Sequence, residues 1–497
     1  MSLVSLDGAE LARDATLRCD VVVVGSGPGG ATVARDLAAL GAEVIVVEAG
    51  PWVQPHELPA DPVESLTRLY DGGGFRFTKG RAPMRLLHGR ALGGTSVVNS
   101  AICWRLPRDV HDEWVASDAA LRDELPWESL DRAGHDIETF LGVETTHPRV
   151  AGGNNLLMGR GADRLGLSHQ PTRRNTLGCQ GLARCNAGCP KGAKLSMDRS
   201  MLPAAVGLGA RIVTSVEVDG ILRDGGAATG VSGVAAGGGR VRIEAGRAVV
   251  LAAGAIATPI LLLENHIRGG PVGHHLQCHP GIGVAGRFTE VVRSWEGATQ
   301  GHEVTGLMTD GIKLEALALD PSVLAHGVDR IGSDLAEEMA RLSCWASWAA
   351  PIRAQTHGTV SPGRRAPKVR FDLVPDDVHR IRRAITALGE VMFAAGAVEV
   401  AVGVAGFDRH VTDVKPLRRL SDEGPTDPRA YALVVSHLFG TCRMGSDPEA
   451  SVVRPDFRHH RVDRLYVADA SVFPTNLGVN PQISIMTMAA LCARSVA

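Results

Sequence analysis

Two residues near the C-terminus have side chains suited to moving a proton and to holding an oxygen. His437 stands in the stretch SHLFGTCRMG, and Asn480 stands in GVNPQIS, directly before Pro481. Imidazole, with an unperturbed pKa of about 6.5, is a common proton acceptor near neutral pH. A histidine that follows an apolar run such as ALVV is also a common hydrogen-bonded core residue. The position of His437 alone therefore leaves both interpretations open.

The residues around Asn480 predict how its amide is placed. A proline biases the residue before it away from helical backbone angles and is itself favoured at the first helical position. We therefore expect a final helix that starts at Pro481 and has Asn480 as its N-cap. The amide would lie at the positive end of that helix, where it can face a developing anion.

The strongest local pattern is CDVVVVGSGPGGATVARDLAALGAEVIVVEAG, which spans residues 19–50. Hydrophobic runs and a glycine stop predict a strand at 21–24, a helix at 28–40 and a strand at 44–47. Gly25, Gly27 and Gly30 form G-x-G-x-x-G at the first turn, which lets a pyrophosphate approach the backbone at the helix N-terminus. Glu48 ends the second strand, where a carboxylate can accept ribose hydroxyls. The pattern predicts a dinucleotide site and does not separate FAD from NAD.

Later segments suggest further contacts with the same cofactor. In HGRALGGTSVVN, the pair Gly93–Gly94 would let the backbone lie flat against a ring system, and small polar residues follow it. The segments 248–265 and 463–495 each read as a strand followed by a helix, as if the chain returned to the first sheet. The cofactor domain is therefore expected to be discontinuous.

Composition narrows the class of protein. A chain of 497 residues is long enough for two or three domains. Its 52 Lys+Arg balance 54 Asp+Glu, so neither nucleic acid nor an anionic membrane is an expected partner. The first twenty residues lack the apolar core of a secretory signal, and no apolar run is long enough to span a bilayer. We expect a cytoplasmic protein that acts on a small molecule.

Six motifs, in order, resemble those of the glucose-methanol-choline (GMC) flavin oxidoreductases. They are GSGPGG with Glu48, GRALGGTSVVN, GAIATP, VGHHLQCHP, HLFGTCRMG and ASVFPTNLGVNPQISIMTMA. The stretches GCPKGAK and FAAGA are most similar to the branch of long-chain-alcohol oxidases and bacterial FAD dehydrogenases. The resemblance implies an α/β fold, α+β overall, with a discontinuous Rossmann-like FAD-binding domain and a substrate domain built on an antiparallel sheet covered by helices.

The resemblance also implies roles for individual residues. His437 would accept the hydroxyl proton of an alcohol while hydride moves to flavin N5, and Asn480 would hydrogen-bond the substrate oxygen. FAD is expected to be noncovalent, because Val98 stands where some members of the family have a linking histidine. The expected cofactor-binding residues are Gly25, Gly27, Gly30, Glu48, Gly93, Gly94, Ser96, Asn99, Val218, Asp469, Ala470 and Pro481.

Three cysteines have a spacing that suggests two alternatives. Cys179, Cys185 and Cys189 form C-x5-C-x3-C, and Pro190 follows the last of them. Such a set resembles the ligands of the three-iron (3Fe-4S) cluster in certain bacterial sugar dehydrogenases of this family. The interpretation that we favour is three reduced thiols in a loop beside the active site.

Other histidines are given a structural role. His274, His275 and His279 lie close together in VGHHLQCHP, but the family resemblance makes this stretch a structural turn rather than a zinc site. The basic run at 361–370 is expected to be a solvated hairpin.

The domain boundaries follow from the pattern. Residues 1–150, 201–280 and 455–497 should form the FAD-binding domain, 151–200 a cysteine-rich, loop-rich lid, and 281–454 the substrate domain.

The expected function is FAD-dependent oxidation of an alcohol to an aldehyde or ketone. Its acceptor would be oxygen, a quinone or a redox protein. The alternatives are a flavin-containing lyase of the hydroxynitrile type on the same scaffold, and a flavin-binding protein without catalysis.

Overall fold

The computed structural model describes residues 3–59, 61–325, 328 and 330–497. It is a mixed α/β structure in which two large sheets each carry their own hydrophobic core. The expected fold class is confirmed.

The strands differ widely in length, from two residues in β1 to twelve in β12. In chain order they are β1 (Leu6–Asp7), β2 (Ala15–Val24), β3 (Val44–Val47), β4 (Arg76–Phe77), β5 (Arg85–Leu86), β6 (Glu144–Thr145), β7 (His169–Pro171), β8 (Arg173–Arg174), β9 (Arg211–Thr214), β10 (Val216–Asp224), β11 (Ala227–Ala235), β12 (Arg240–Leu251), β13 (Gln277–Arg287), β14 (His302–Val304), β15 (Leu314–Ala316), β16 (Trp345–Pro351), β17 (Thr359–Ser361), β18 (Lys368–Arg370), β19 (Glu399–Ala401), β20 (His410–Val411), β21 (Leu433–Phe439) and β22 (Leu465–Val467).

The helices cover both sheets and the loops between them. They are α1 (Pro28–Ala39), α2 (Pro62–Leu69), α3 (Arg108–Ser117), α4 (Ala120–Glu124), α5 (Trp127–Phe140), α6 (Pro148–Ala151), α7 (Gly153–Leu165), α8 (Met201–Gly207), α9 (Gly254–Glu264), α10 (Pro321–Ala325), α11 (Gly332–Ala340), α12 (Pro375–Ala395), α13 (Val414–Glu423) and α14 (Gln482–Val496). Within the described residues, no helix combines the length and apolar character needed to cross a membrane.

The first sheet has the order β1-β9-β3-β2-β12-β11-β10, with β22 paired to β12. Strands β2, β3, β9 and β12 run parallel, whereas β10, β11 and β12 form an antiparallel meander. Helices α1 and α14 pack against each other on this sheet. Because β22 joins it more than 200 residues after β12, the sheet is assembled from distant parts of the chain, as expected.

The first βαβ unit matches its prediction closely. Strand β3 has the predicted bounds, and α1 ends one residue earlier than predicted, at Ala39. Gly29 and Gly30 let α1 approach its neighbours, because a Cβ at either position would collide with the carbonyl oxygen of Ala468 or Gly25. Small residues therefore bring the start of α1 against the carboxyl ends of the strands.

The second sheet is largely antiparallel and has the order β4-β5-β21-β13-β16-β15-β14-β7, with β19 and β20 added at β13. The long helix α12 packs on β13 and β16. Strands β17 and β18 pair at the basic run, which confirms the predicted hairpin. Strands β4, β5 and β7 lie outside 281–454, so this sheet also draws on earlier parts of the chain.

One segment differs from its prediction. Residues 151–200 were expected to be rich in loops, but Gly153–Leu165 forms α7, which packs against α12. Its glycines hid the helix from sequence reasoning. Gly161 lies against the carbonyl of Val391, where a side chain would collide.

Candidate active site

His437 lies near the end of β21 in the second sheet. The loop that follows it is hydrogen-bonded to the residues that come after β22 of the first sheet. Hydrogen bonds run from the N–H groups of Gly440, Cys442 and Met444 to the carbonyls of Ala470, Ser471 and Val472, at 3.2, 2.9 and 2.8 Å. Gly440 has φ of +81°, and a Cβ there would crowd the carbonyl of His275. The HLFGTCRMG stretch therefore connects the two sheets and holds the imidazole at their junction.

His279 is the immediate neighbour of His437. Their Nδ1 atoms lie 3.2 Å apart, and the two rings are close to perpendicular, at 85°. The Gly478 N–H donates to Nε2 of His279 at 2.9 Å. Both nitrogens of His279 are thus engaged. His279 was predicted to lie in a structural turn, but it lies on β13, which pairs with β21 and brings its ring into the candidate active site.

The surroundings of His437 keep it neutral at neutral pH. Burial lowers the pKa of His437 to about 4, because a charged imidazolium is disfavoured away from water. The Glu315 carboxylate acts in the opposite direction, and the Lys313 ammonium adds to the lowering. The pKa of His279 is also lowered well below its usual value, mainly by burial.

Asn480 is buried and receives a hydrogen bond from a buried lysine. Lys313 Nζ lies 2.6 Å from Asn480 Oδ1. It also lies 2.6 Å from Glu303 and 2.9 Å from Glu315. The side chains of Lys313 and Glu303 are each 1% exposed. Because the charge of Lys313 acts on His437 as well, the two predicted catalytic residues border one buried charge network.

The start of α14 differs by one residue from the expectation. Pro481, with φ −89° and ψ −4°, is the N-cap, and the helix begins at Gln482, so Asn480 precedes the cap. Asn99 Nδ2 donates to Gln482 Oε1 at 2.5 Å. The predicted flavin-facing segment and the start of α14 therefore meet. Asn480 does not cap the helix, and its Oδ1 accepts a hydrogen bond from Lys313 instead.

The predicted cofactor residues of the first turn form a connected cradle. Glu48 accepts hydrogen bonds from the Ser26 N–H at 3.0 Å, the Ser26 hydroxyl at 2.6 Å and the Gly50 N–H at 2.8 Å. The Gly93 N–H donates to the Ser26 hydroxyl oxygen at 2.9 Å. A Cβ on Gly94 would lie 2.8 Å from the Cα of Gly27. The two glycine motifs, distant in sequence, are therefore packed directly on each other.

Other predicted cofactor residues lie around this cradle. Ser96 donates to the Gly93 carbonyl at 2.6 Å. Asp469 accepts from the Gly254 N–H at 2.9 Å and from the Thr258 hydroxyl at 2.6 Å. Val218 pairs with Gly233 at the edge of the first sheet, and its described contacts are with the core rather than with the other predicted residues.

Comparison with known proteins identifies the family. Two models of the GMC oxidoreductase family match residues 66–281 and 355–489. An uncharacterised GMC-type oxidoreductase of Mycobacterium tuberculosis, Rv0492c, is 36% identical over 95% of this chain and 75% of its own length. The chain belongs to the GMC oxidoreductase family. A GMC-type oxidoreductase of Sinorhizobium fredii, y4nJ, is 32% identical over 97% of this chain and 95% of its own.

Relatives of known activity agree with this membership. The long-chain-alcohol oxidase FAO4B of Arabidopsis thaliana is 29% identical over 97% of this chain and 68% of its own length. Pyridoxine 4-oxidase from Mesorbium loti has the same fold, with a TM-score of 0.71 over 96% of this chain and 98% of its own at 18% identity. Formate oxidase matches with a TM-score of 0.73 at 15% identity, over 97% and 98% of the two chains. This GMC chain is an FAD-dependent oxidoreductase.

The structure of the cradle fits FAD. Gly27 precedes α1 and has no side chain to cap it, and a Cβ there would find its nearest neighbour only at 4.0 Å, on Gly94. That leaves space and helix N–H groups for a pyrophosphate. Gln482 has a buried Nε2 that meets no hydrogen-bond partner among the residues the structure describes. It can donate to an acceptor atom of the cofactor.

The three cysteines share a cavity with two buried cations. Arg174 reaches two of the sulfurs, with Nη2 3.2 Å from Cys185 Sγ and Nη1 3.7 Å from Cys179 Sγ. Cys189 lines the same cavity. Lys194 donates to the carbonyls of Val97, Asn99 and Cys185 at 2.7, 2.8 and 2.8 Å. The cysteine loop is therefore linked to the predicted flavin-facing segment.

The charge around Cys185 favours its thiolate. Burial alone would raise the pKa of this thiol, but the Arg174 guanidinium, the Lys194 ammonium and Thr299 outweigh burial and lower it. In the described part of the chain, no group of three or more His, Cys, Asp or Glu side chains is placed to hold a metal ion. The comparisons give no support for the 3Fe-4S alternative.

Several site residues were not found from the sequence. His279 was assigned to a structural turn, whereas the structure places it against His437. His275, from the same stretch, packs edge-on to His357 instead, with ring centroids 5.8 Å apart. No role was predicted from the sequence for Lys313, which donates to Asn480, or for Glu303 and Glu315, which pair with Lys313.

Proposed function

We propose that this GMC oxidoreductase oxidises the CH–OH group of a small-molecule alcohol to an aldehyde or ketone. The observation that carries the proposal is a half-buried, neutral His437 whose surroundings include the same Lys313 that donates to Asn480. The alcohol oxidases among the relatives support this substrate class.

Each residue has a separate task in this mechanism. His437 takes the hydroxyl proton. Its low pKa keeps the ring neutral near neutral pH, and only the neutral ring can accept a proton. Asn480 donates from Nδ2 to the substrate oxygen as negative charge grows there, because its Oδ1 is occupied by Lys313. FAD, when bound, supplies the hydride acceptor.

FAD would be held noncovalently by the predicted cofactor-binding residues. Gly25, Gly27 and Gly30 would cradle the pyrophosphate, and Glu48 retains a free lone pair on Oε1 for a ribose hydroxyl. Gly93, Gly94, Ser96, Asn99 and Pro481 would border the flavin, with Asp469 and Ala470 near the pyrophosphate and Val218 at the periphery. The division into an FAD-binding domain, a lid and a substrate domain remains part of the proposal.

Anaerobic mixing with a panel of aliphatic, aromatic and polyhydric alcohols tests this function. The yellow flavin absorbance should bleach with at least one substrate class, and aldehyde or ketone should appear in equal amount. A lyase would consume a hydroxynitrile while its flavin stayed yellow. A flavin that stays oxidised with every alcohol would overturn the proposal.

The electron acceptor is proposed to be oxygen, since oxidases are prominent among the relatives. Oxygen consumption with matching hydrogen peroxide release would support it. Turnover that requires a quinone or a dye would assign the protein to the dehydrogenases instead.

A further inference from the structure

Lys313, which donates to Asn480, lies between two glutamates on adjacent strands. Glu303 on β14 and Glu315 on β15 are direct cross-strand partners in the antiparallel register. Like charges placed opposite each other destabilise a sheet, and both glutamates are buried. This pair needs a cation between its members.

Lys313 supplies that cation, and its three N–H groups are shared between the two glutamates and Asn480. Its ammonium carries three N–H groups. Two of them reach Glu303 at 2.6 Å and Glu315 at 2.9 Å, and the third reaches Asn480 Oδ1 at 2.6 Å. The ammonium is therefore fully used by the protein and has no donor left for a substrate.

The rest of the network holds the glutamates in place. Glu303 also accepts from Trp104 Nε1 at 3.0 Å and from Gln170 Nε2 at 2.8 Å, and Glu315 accepts from Gln300 Nε2 at 2.7 Å. The two carboxylates outweigh burial and raise the pKa of Lys313, so the ammonium stays charged. The donor to Asn480 thus keeps its charge and is held between two carboxylates.

This arrangement removes the ambiguity in the orientation of the amide. A side-chain amide can present either its oxygen or its nitrogen to a neighbour, but a lysine ammonium only donates. Asn480 must therefore place Oδ1 towards Lys313 and Nδ2 away from it. We propose that Lys313 is a positioning residue that sets the Asn480 amide so that Nδ2–H is presented to the substrate oxygen. This inference rests on the proposed alcohol oxidation, because it assigns a donor to the oxygen of that substrate.

The variants are chosen so that charge and positioning separate. Lys313→Met alone would leave two buried glutamates facing each other, so folding could fail for a trivial reason. The triple variant Glu303→Gln/Lys313→Met/Glu315→Gln removes all three charges. Its matched control is Glu303→Gln, which keeps the ion pair between Lys313 and Glu315 and the bond from Lys313 to Asn480. Neither variant leaves an unpaired buried charge in the network, so their comparison isolates the contribution of the charged Lys313.

The first readout does not depend on catalysis. In asparagine-labelled holoenzyme, the Asn480 side-chain amide resonance is assigned by its disappearance in Asn480→Ala. It should keep its position in Glu303→Gln and shift or broaden in the triple variant. An unchanged resonance in the triple variant, with melting temperature retained, would overturn the inference even if no alcohol proved to be a substrate.

The second readout is the rate of anaerobic flavin reduction by an alcohol that reduces the wild type. The triple variant should be about 10- to 100-fold slower than Glu303→Gln, because an oriented oxyanion donor is lost. In an Asn480→Ala background the same comparison should give a difference of less than about threefold, since Lys313 then has no amide to orient. Equal losses in both backgrounds would show a merely structural lysine. A wild type that no alcohol reduces would instead defeat the proposed function.

Discussion

His279 Nδ1 lies 3.2 Å from His437 Nδ1, and this contact determines where the hydrogens of both rings reside. A backbone N–H only donates, so the Gly478 N–H requires Nε2 of His279 to be the acceptor. Neutral His279 then carries its hydrogen on Nδ1 and donates it to His437. In this arrangement neutral His437 carries its own hydrogen on Nε2.

The tautomer has a consequence for proton transfer. To accept a proton at Nε2, His437 must first hold its hydrogen on Nδ1, and His279 must accept there. That exchange breaks the bond from the Gly478 N–H, at a cost of about 1–3 kcal/mol for a buried donor left without a partner. His279 therefore controls the form in which His437 acts.

A pair of glutamine substitutions separates the two histidines. His437→Gln removes the proposed base and should slow flavin reduction about 100-fold or more. His279→Gln retains an oxygen that can accept from His437 Nδ1, so we expect at least about a tenth of the wild-type rate. Stopped-flow absorbance measures both rates. Equal rates for the wild type and His437→Gln would remove His437 from the mechanism, and a larger loss in His279→Gln would transfer its role to His279.

The pH dependence of flavin reduction follows from the lowered pKa of His437, about 4. The neutral ring is the active form, so the rate should be level from about pH 6 to 9 and should fall as the pH drops through about 4. Folding responds in the same direction. The unfolded chain takes up a proton on this residue near pH 6.5 and the folded chain does not, so stability decreases between about pH 6.5 and 4. Rates and melting temperatures across pH 4–9 test this, and a fall in rate centred near 6.5 would contradict it.

Two glycines of the first turn should respond differently to alanine. A Cβ at Gly27 meets nothing closer than 4.0 Å, whereas one at Gly30 collides with the Gly25 carbonyl oxygen. Gly27→Ala should therefore leave the melting temperature of the apoprotein within about 2 °C of the wild type and weaken FAD binding about tenfold or more. Gly30→Ala should lower the apoprotein melting temperature as well. Calorimetry and flavin fluorescence measure the two effects, and unchanged FAD affinity in Gly27→Ala would place the pyrophosphate elsewhere.

Short-range patterns predicted much of the fold, and long-range contacts account for what was missed. The βαβ unit depends on glycine and apolar spacing within about thirty residues, and β3 was predicted to the residue. Lys313 and Glu315 alternate with Leu314 and Ala316, a pattern that normally marks a half-exposed strand. In the structure all four are buried. Their partner Asn480 lies 167 residues away, so no local pattern signals the network.

The misplaced cap at Asn480 has a local cause. Pro481 was expected to open the helix because its φ suits the first helical position. It instead lies just outside α14, with ψ of −4°, and the first helical residue is Gln482. Sequence reasoning thus predicted the final helix but made Asn480 its cap, whereas Asn480 lies one residue before the cap. The Asn480 side chain was expected to bond to the start of the helix, and it accepts a hydrogen bond from Lys313 instead.

The cysteine loop gives the last prediction. The pKa of Cys185 is lowered by nearby cations, whereas burial raises the pKa of Cys278 and Cys442 well above the usual value for a thiol. Iodoacetamide at pH 7.5 should therefore alkylate Cys185 well before those two. Because Cys185 is also more exposed than they are, the decisive comparison is Arg174→Gln, which should slow alkylation of Cys185 about tenfold.

Arg173→Gln is the matched control, since Arg173 pairs with Glu138 at 2.8 Å instead of with sulfur. Peptide mass spectrometry over time gives each rate, and iron content with an electron paramagnetic resonance spectrum of the same sample reports on the 3Fe-4S alternative. A rate at Cys185 that is indifferent to Arg174 would show that the guanidinium does not stabilise the thiolate. Iron near three atoms per chain, with complete protection of all three cysteines, would show that the loop holds a cluster in place of free thiols.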